Sequence, residues 1–315
     1  MLAFGLVVPP LATAQQPTKV PVIGVLMVSA GPKDSVVEAF RQSLRDHGYV
    51  EGRNIRIEFR SARGRADRLP GLADDLVRLK VDILFAAAEP ALLAAKKATS
   101  TIPIVMAAYG YDPIALGLIA SYARPGGNVT GVSSLDSELV GKRLELLKEA
   151  VPGVSRVAVL WDSFGRRHLK QLEEAARLLK IEFQPVEAKT PDDLEPALKA
   201  ASRGGARALV VLFSPVFYVQ RARIARLAIN SRLATIYVEK DYVEAGGFMS
   251  YGANNADTVG RAAYFVDRIL KGAKPAELPV EQPARFELAI NLLTAKSLGL
   301  TIPQSIRLRA DRLIQ

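Results

Sequence analysis

The 315-residue chain has no cysteine and only two histidines. The lack of cysteine excludes disulfides, thiol nucleophiles and zinc sites built from thiolates. We expect His47 and His168 at the surface of predicted helices, because neither has partners at metal-ligand spacing. No G-x-S-x-G motif is present. We therefore expect no enzyme activity, no bound metal and no cofactor.

Long apolar runs and long basic runs are also missing. No internal stretch approaches the roughly 18 to 20 apolar residues that span a bilayer. The net charge is +10, but no basic run alternates with aromatic residues, so a solvated basic surface is favoured over a nucleic-acid site. With 49% hydrophobic and 23% charged residues, the composition is that of a globular protein, and its length fits two domains.

The N-terminal residues differ from the rest of the chain. The apolar segment MLAFGLVVPPLATAQQ contains Ala12-Thr13-Ala14, a small-x-small cleavage pattern, and we expect a signal segment over residues 1–14. Because a basic start is missing, the true start could lie upstream, and an apolar tail is the alternative. If this segment is a signal, we expect the protein to be exported to the periplasm. Because the chain has no cysteine, we expect no lipid anchor on an N-terminal cysteine.

The stretch GGNVTG at residues 126–131 invites comparison with a phosphate-binding loop. That loop needs Lys and then Ser or Thr after its last glycine, and here Val132 and Ser133 follow. We predict a helix over 114–123, stopped by Pro125, with Gly126 and Gly127 making the turn into a strand. The motif is therefore interpreted as a helix-to-strand turn.

Short β-rich apolar runs alternate with amphipathic stretches along nearly the whole chain, which indicates an α/β fold with mainly parallel sheets. The predicted strands are 20–28, 55–60, 81–86, 104–107, 129–133, 157–161, 182–186, 208–213, 235–238 and 247–251. The other predicted helices are 35–47, 68–79, 91–99, 137–150, 166–179, 192–202, 216–230 and 257–270.

The order of these elements divides into two similar halves, which predicts two doubly wound lobes joined by several crossing segments. We expect lobe 1 to contain 20–132 and about 253–280, and lobe 2 to contain 133–252 and about 281–315. Residues 133–134 would form the first crossover, and the proline-containing stretch LPVEQPARFEL would cross back as an extended segment. Such lobes leave a cleft at the carboxyl ends of their strands.

Several stretches, in this order and spacing, resemble the ABC-transporter substrate-binding proteins of the tryptophan/tyrosine-binding type. They are GYVEGRNIRIEFRSARG, ADDLVRLKVDILFA, ATSTIPIVM, ARPGGNVTGVS, VEAGGFMSYG and LPVEQPARFELAINLLTAKSLGLTIPQSI. The resemblance covers nearly everything from about residue 20 to 312. It implies a type I periplasmic binding-protein fold without catalysis. It also implies a small-molecule solute and a partner permease in the inner membrane.

Candidate ligand contacts follow the strands of lobe 1. Ser29 and Ala30 precede a helix whose N-terminal N–H groups could hold a carboxylate; an ordinary turn is the alternative. Ala87 allows close approach, and Glu89 could bind an ammonium group or merely favour the helix N-terminus that follows. Relatives often have small or hydroxyl residues in this loop, and here three alanines precede Glu89.

The loop AAYGYDP brings Tyr109, Tyr111 and Asp112 together after a strand. Two rings and a carboxylate suit an aromatic or planar solute that carries an amine. Where relatives have Gly-Asp-Pro, this chain has an extra tyrosine, Tyr111. Direct transfer of the ligand from relatives is therefore not supported here.

Lobe 2 offers a corresponding set after its own strands. The candidates are Asp162 for an ammonium group, Phe213 and Tyr242 for stacking, Glu239 in the loop that also contains Tyr242, and Tyr251 where the chain turns back. Each ring taken alone is more often part of a core. Together, the candidates predict a monomeric receptor that binds an aromatic or apolar amino acid, or else an aromatic carboxylate.

Two other classes of protein share this kind of fold. One is a ligand-sensing module or the effector domain of a transcription regulator, which would need a DNA-binding helix pair before residue 20. The other is an enzyme on a doubly wound sheet, since fold alone does not exclude catalysis. Neither a DNA-binding pair nor a catalytic motif is visible in the sequence.

Overall fold

The structure is a computed structural model that describes residues 19–109, 111–134, 137–283 and 285–315. The predicted signal segment, residues 1–14, lies outside these ranges. The strands are β1 (Val22–Met27), β2 (Arg56–Ser61), β3 (Ile83–Ala87), β4 (Ile104–Tyr109), β5 (Val129–Ser134), β6 (Arg156–Trp161), β7 (Glu182–Glu187), β8 (Ala208–Val211), β9 (Ala234–Tyr237), β10 (Met249–Ala253), β11 (Phe286–Asn291) and β12 (Arg312–Ile314).

These strands form two sheets. The five-stranded sheet has the order β2-β1-β3-β4-β5 and the seven-stranded sheet has the order β12-β11-β10-β9-β8-β6-β7. Among the described residues, all strand pairs are parallel except β10 with β11. Each sheet with its helices is called a lobe below, lobe 1 having five strands and lobe 2 seven. The predicted α/β class with two doubly wound lobes is confirmed.

Helices cover both faces of each sheet. They are α1 (Ser35–Asp46), α2 (Leu69–Arg78), α3 (Glu89–Ala98), α4 (Ser137–Ala150), α5 (Leu169–Leu178), α6 (Leu194–Arg203), α7 (Pro215–Val219), α8 (Arg221–Asn230), α9 (Lys240–Glu244), α10 (Asn255–Leu270), α11 (Leu292–Ser297) and α12 (Gln304–Arg309). In lobe 1, α1 and α10 pack on one face and α2 and α3 on the other. Central strands are consequently buried on both faces: all six residues of β1, VIGVLM, are buried.

The chain passes repeatedly between the lobes. It leaves lobe 1 after β5 and enters α4, which packs against β8, β9 and β10. It returns after β10 into α10, where the Ser43 hydroxyl donates to the Gly260 carbonyl (2.8 Å). It crosses again near Glu281, which forms an isolated parallel β-bridge with Val132 of β5. The chain then continues into β11, which belongs to the other sheet. The bounds of the two lobes along the chain stay a prediction.

Two helix predictions are wrong. Residues 114–123 form turns, because Asp112 accepts a hydrogen bond from the Ile114 N–H (2.9 Å) and Gly117 adopts a φ of +66°. The predicted helix 216–230 begins at Pro215 and breaks at Gln220, giving α7 and α8. The elements α9, α11, α12, β11 and β12 are present in the structure and are not among the predicted elements.

The glycines of GGNVTG serve two different local needs. Gly126 adopts a φ of +75° in the turn before β5, where its N–H donates to the Ala276 carbonyl (3.2 Å). Gly131 lies within β5 with a φ of +132°, and a Cβ there would lie 2.3 Å from the Met106 carbonyl oxygen. The predicted turn into a strand is present, although turns rather than a helix precede it.

Candidate functional site

Loops from both lobes enclose a cleft at the carboxyl ends of their strands. It contains about 500 Å³ of empty space, including volume open to solvent. Its lining residues are Met27, Val28, Ser29, Ala30, Val36, Ala87, Ala88, Phe213, Pro215, Tyr218 and Glu239. This is where an open α/β sheet binds ligands, because loops leave the strand ends there and the backbone ladder stops. It is called the first cavity below.

The lobe 1 wall of the first cavity comes from the β1–α1 and β3–α3 loops. Ser29 and Ala30 follow β1, and Ala87 ends β3. Ala88 adopts φ 69° and ψ 152°, a conformation that is nearly confined to glycine. The small side chains of Ala30, Ala87 and Ala88 leave room for a ligand to approach the backbone on this side.

The lobe 2 wall comes from the β8–α7 and β9–α9 loops. Phe213 and Pro215 follow β8, and Tyr218 lies on α7. The Ser29 hydroxyl donates to the Pro215 carbonyl across the cleft (2.9 Å). The two lobes are therefore in direct contact at the edge of the first cavity.

Glu239 contributes the carboxylate of the first cavity. Only 8% of its surface is exposed, although it is a charged residue at the N-terminus of α9. The Tyr218 hydroxyl donates to Asp241 (2.6 Å). Burial and the charges of Glu239 and Asp241 raise the pKa of Tyr218 well above its ordinary value. The lobe 2 wall thus combines an aromatic surface with negative charge, a combination suited to a cation that carries an apolar group.

Asp162 and Ser214 hold the lobe 2 loops in place beneath this wall. Ser214 donates to Asp162 Oδ2 (2.5 Å), and Asp162 Oδ1 accepts from the N–H groups of Phe164 and Gly165 (3.0 and 3.3 Å). Ser214 also caps α7. Burial raises the pKa of the Asp162 carboxyl, while the Ser214 hydroxyl opposes that shift. Both carboxylate oxygens of Asp162 therefore accept hydrogen bonds from residues of lobe 2.

A second cavity lies next to the first. It contains about 260 Å³ of empty space and is lined by Glu89, Pro90, Tyr111, Phe164, Arg167, His168 and Phe213. Arg167 of lobe 2 forms a salt bridge with Glu89 of lobe 1. His168 is 4% exposed, so the expectation that it lies at the surface is wrong; it lies at the junction of a short 3₁₀ turn and α5, whose apolar side faces the core. His47 is exposed, as expected.

The structure gathers most of the predicted contacts into these two cavities. Ser29, Ala30, Ala87, Phe213 and Glu239 line the first cavity, while Glu89, Tyr111 and again Phe213 line the second. Whether they bind a ligand stays a prediction.

The other predicted contacts lie elsewhere. Asp112 is exposed and caps a turn, Tyr242 stacks on Tyr237 in the core (ring centroids 4.5 Å apart), and Tyr251 packs against Phe286. The side chain of Tyr109 and the residue after it lie outside the described part of the chain.

Sequence reasoning missed Tyr218, which faces the first cavity. It was placed inside a predicted helix over 216–230, whereas the chain breaks at Gln220. Ser214 followed by Pro215 is a recognisable helix start, with a capping hydroxyl and then proline at the first helical position. That signal would have put Tyr218 within one turn of the cleft.

Within the described residues, no group of three or more His, Asp or Glu side chains is arranged to hold a metal ion. In the same ranges, no helix has the length and apolar character that crossing a membrane requires.

Comparisons with known proteins match this chain to a family and to individual relatives. The sequence pattern of the family described as ABC transporter substrate binding protein matches residues 19–314. A tyrosine-binding protein of Clostridioides difficile is 27% identical over 282 residues, which are 88% of this chain and 81% of that protein.

Two solved structures are similar over nearly the whole chain. A crystal structure of a conserved domain protein from Vibrio cholerae has a TM-score of 0.85 and 27% identity, covering 94% of this chain and 100% of that one. An ABC domain from Streptococcus pneumoniae in complex with L-Trp has a TM-score of 0.85 and 25% identity, covering 93% of this chain and 99% of that one.

Proposed function

The chain belongs to the family of ABC transporter substrate-binding proteins, and from this premise we propose that it captures one small amino acid-like solute between its lobes. An aromatic or apolar L-amino acid is the proposed ligand, and an aromatic carboxylate is the second candidate. The solute is then presented to an ABC permease in the inner membrane. Its place of action is the periplasm, where it works as a monomer without catalysis.

One observation carries the ligand class: an apolar cavity between the lobes with one carboxylate, Glu239, buried in its wall. The carbon-rich lining removes an apolar side chain from water, which contributes about 25 cal/mol per Å² buried. The carboxylate gives a ligand ammonium group a charged partner in a site shielded from solvent. A sugar would instead require many polar groups converging on its hydroxyls.

The similar proteins point to the same class. One is named for tyrosine binding, and another was solved with L-Trp. At 25 to 27% identity, the residues that surround the ligand can differ. We therefore propose only the class of ligand, and the side chain of the bound amino acid is to be identified by experiment.

Closure of the cleft is proposed to accompany binding. The first cavity takes its walls from both lobes, so a ligand that contacts both favours the closed arrangement over any open one. The proposed lobes comprise residues 20–132 with about 253–280, and 133–252 with about 281–315. The closed pair would form the surface that a permease recognises.

A ligand-sensing role for the same cleft is the alternative. It shares the binding step and differs in the partner, so the test of transport is loss of solute uptake after deletion of the gene. Uptake that persists while a signalling output disappears would favour the sensor.

The direct test is thermal melting and titration calorimetry of the purified protein against the twenty amino acids and a set of aromatic carboxylates. A ligand that binds only the folded state adds about 2.7 kcal/mol of stability at a hundredfold excess over its dissociation constant. We expect a shift with tyrosine, tryptophan, phenylalanine or leucine. No shift with any amino acid or aromatic carboxylate would refute the proposed ligand class.

A further inference from the structure

Phe213 lies between the two cavities of the cleft and lines both. It belongs to lobe 2, two residues after the end of β8, yet its ring packs against the apolar core cluster of lobe 1. The ring therefore crosses the cleft and touches the opposite lobe. The first cavity contains about 500 Å³ of empty space and the second about 260 Å³, both including volume open to solvent, and Phe213 is the residue that their linings share.

The backbone on each side of Phe213 is fixed by hydrogen bonds. The Leu212 N–H donates to the Leu160 carbonyl (3.1 Å), and Ser214 donates to the buried Asp162 carboxylate (2.5 Å). The next carbonyl, that of Pro215, accepts from Ser29 of lobe 1 (2.9 Å). A side chain whose flanking residues are held in this way keeps its position more closely than one on a free loop.

The second cavity has a surface that an extended ligand could use. Tyr111, Phe164 and His168 contribute rings, and the Glu89–Arg167 salt bridge lies at its side. Rings of this kind pack well against a further aromatic group.

We propose that Phe213 sets the length of the ligand: it is a partition that confines the solute to the first cavity and excludes side chains longer than one ring system. This inference rests on the proposed function, namely that an apolar amino acid lies in the first cavity. Removing the ring joins the two cavities, and the second then becomes a subsite for a second aromatic group.

The experiment compares wild type, Phe213→Ala and the matched control Phe164→Ala by titration calorimetry. Phe164 is the same residue type and lines only the second cavity. The ligands are L-phenylalanine, L-tryptophan and L-4-phenylphenylalanine, which carries a second ring. We expect Phe213→Ala to raise the affinity for the biphenyl ligand relative to phenylalanine by roughly tenfold or more, the usual value of a few buried carbon atoms in a pocket. Phe164→Ala should leave the ratio at its wild-type value.

Other results overturn the inference. If Phe213→Ala weakens all ligands by the same factor, Phe213 is a stacking contact and not a partition. If wild type already binds the biphenyl ligand as well as phenylalanine, no partition limits the length. Should Phe213→Ala fail to fold, Phe213→Leu is expected to move the ratio in the same direction by a smaller factor.

Crystal structures of wild type and Phe213→Ala test the partition independently of the proposed ligand. If wild type binds no amino acid, the ligand proposal fails. The partition is then supported by two cavities in wild type that merge in the variant, and overturned by one continuous cavity in wild type.

Discussion

Replacing Glu239 with glutamine tests how the cleft recognises an amino acid. The side chain keeps its length and its hydrogen-bonding capacity but loses its charge. Glu239 is 8% exposed and lies in the wall of the first cavity, so solvent screens its charge little. A ligand ammonium group would lose a charge-assisted hydrogen bond and keep, at best, a neutral one.

The size of the effect follows from that loss. A hydrogen bond to a charged group contributes about 1.5 to 3 kcal/mol, compared with about 1 kcal/mol for a neutral pair. If the introduced amide makes no useful contact, the dissociation constant of the amino acid should rise about 10- to 150-fold; a retained neutral bond places the rise at the lower end. The apolar lining of the cavity is unchanged, so the side-chain preference should stay the same.

Calorimetry with an amino acid and its deaminated analogue isolates the contribution of the ammonium group to the binding free energy. For phenylalanine and 3-phenylpropionate, wild type should favour the amine-bearing ligand, and Glu239→Gln should lose most of that preference. Asp241→Asn is the matched control, since Asp241 accepts from the Tyr218 hydroxyl (2.6 Å) and does not line the cavity. The reasoning is refuted if Glu239→Gln binds phenylalanine as tightly as wild type and still discriminates against the analogue.

Three further substitutions test the cleft and the strand beside the crossover. Arg167→Gln removes the partly exposed salt bridge with Glu89 between the lobes; we expect ligand affinity to fall about two- to fivefold and small-angle scattering to show a larger ligand-free radius, and an unchanged radius would contradict this. Ala88→Gly relieves a φ of 69° and should stabilise the protein by about 1 kcal/mol in urea unfolding, whereas a loss of stability would show that the conformation is unstrained. Gly131→Ala places a Cβ 2.3 Å from the Met106 carbonyl oxygen and should cost more than about 3 kcal/mol by the same assay, with Gly71→Ala, which meets nothing within 4 Å, as control.

The sequence predicts the two sheets well because their strands are uninterrupted apolar runs. A short run such as VIGVLM is typical of a strand at the centre of a sheet covered on both faces. The order of strands and helices then restricts the topology, because crossovers between parallel strands are right-handed and adjacent elements pack together. The architecture therefore follows from local pattern.

The errors fall where a local signal competes with the pattern. The stretch 114–123 has helix-forming residues, but the Asp112 side chain binds the backbone two residues on and Gly117 takes the left-handed conformation. The strands near the C-terminus, β11 and β12, were missed because β12 is three residues long and β11 shares one apolar run with α11. Pairing with β10 on one side and β12 on the other selects the strand, and both partners are separated from it in sequence.

The loops that form the candidate site could be predicted from the sequence. Which aromatic residues line the cavities and which belong to the core could not. Phe213 and Tyr242 are both aromatic residues shortly after a strand of lobe 2, yet Phe213 lines the cavities and Tyr242 stacks on Tyr237 in the core. Hydrophobicity gives the two the same preference for burial. What separates them is their distance from the strand end, which pattern reading gives with an error of about two to four residues.

In this fold, the number of residues between a side chain and the end of its strand is related to whether that side chain lines a cavity. The residues that stand second after a strand end and line a cavity are Ser29, Glu89, Tyr111, Phe213 and Glu239. In three of these loops the first residue after the strand still makes a backbone hydrogen bond at the edge of the sheet: the Val28 carbonyl accepts from the Gly64 N–H, and the N–H groups of Ala88 and Leu212 donate to neighbouring strands. The second residue is the first that leaves the ladder, so its side chain can face the opposite lobe. Asp162, at the first position, and Tyr242, inside α9, instead hold the loops and the core together.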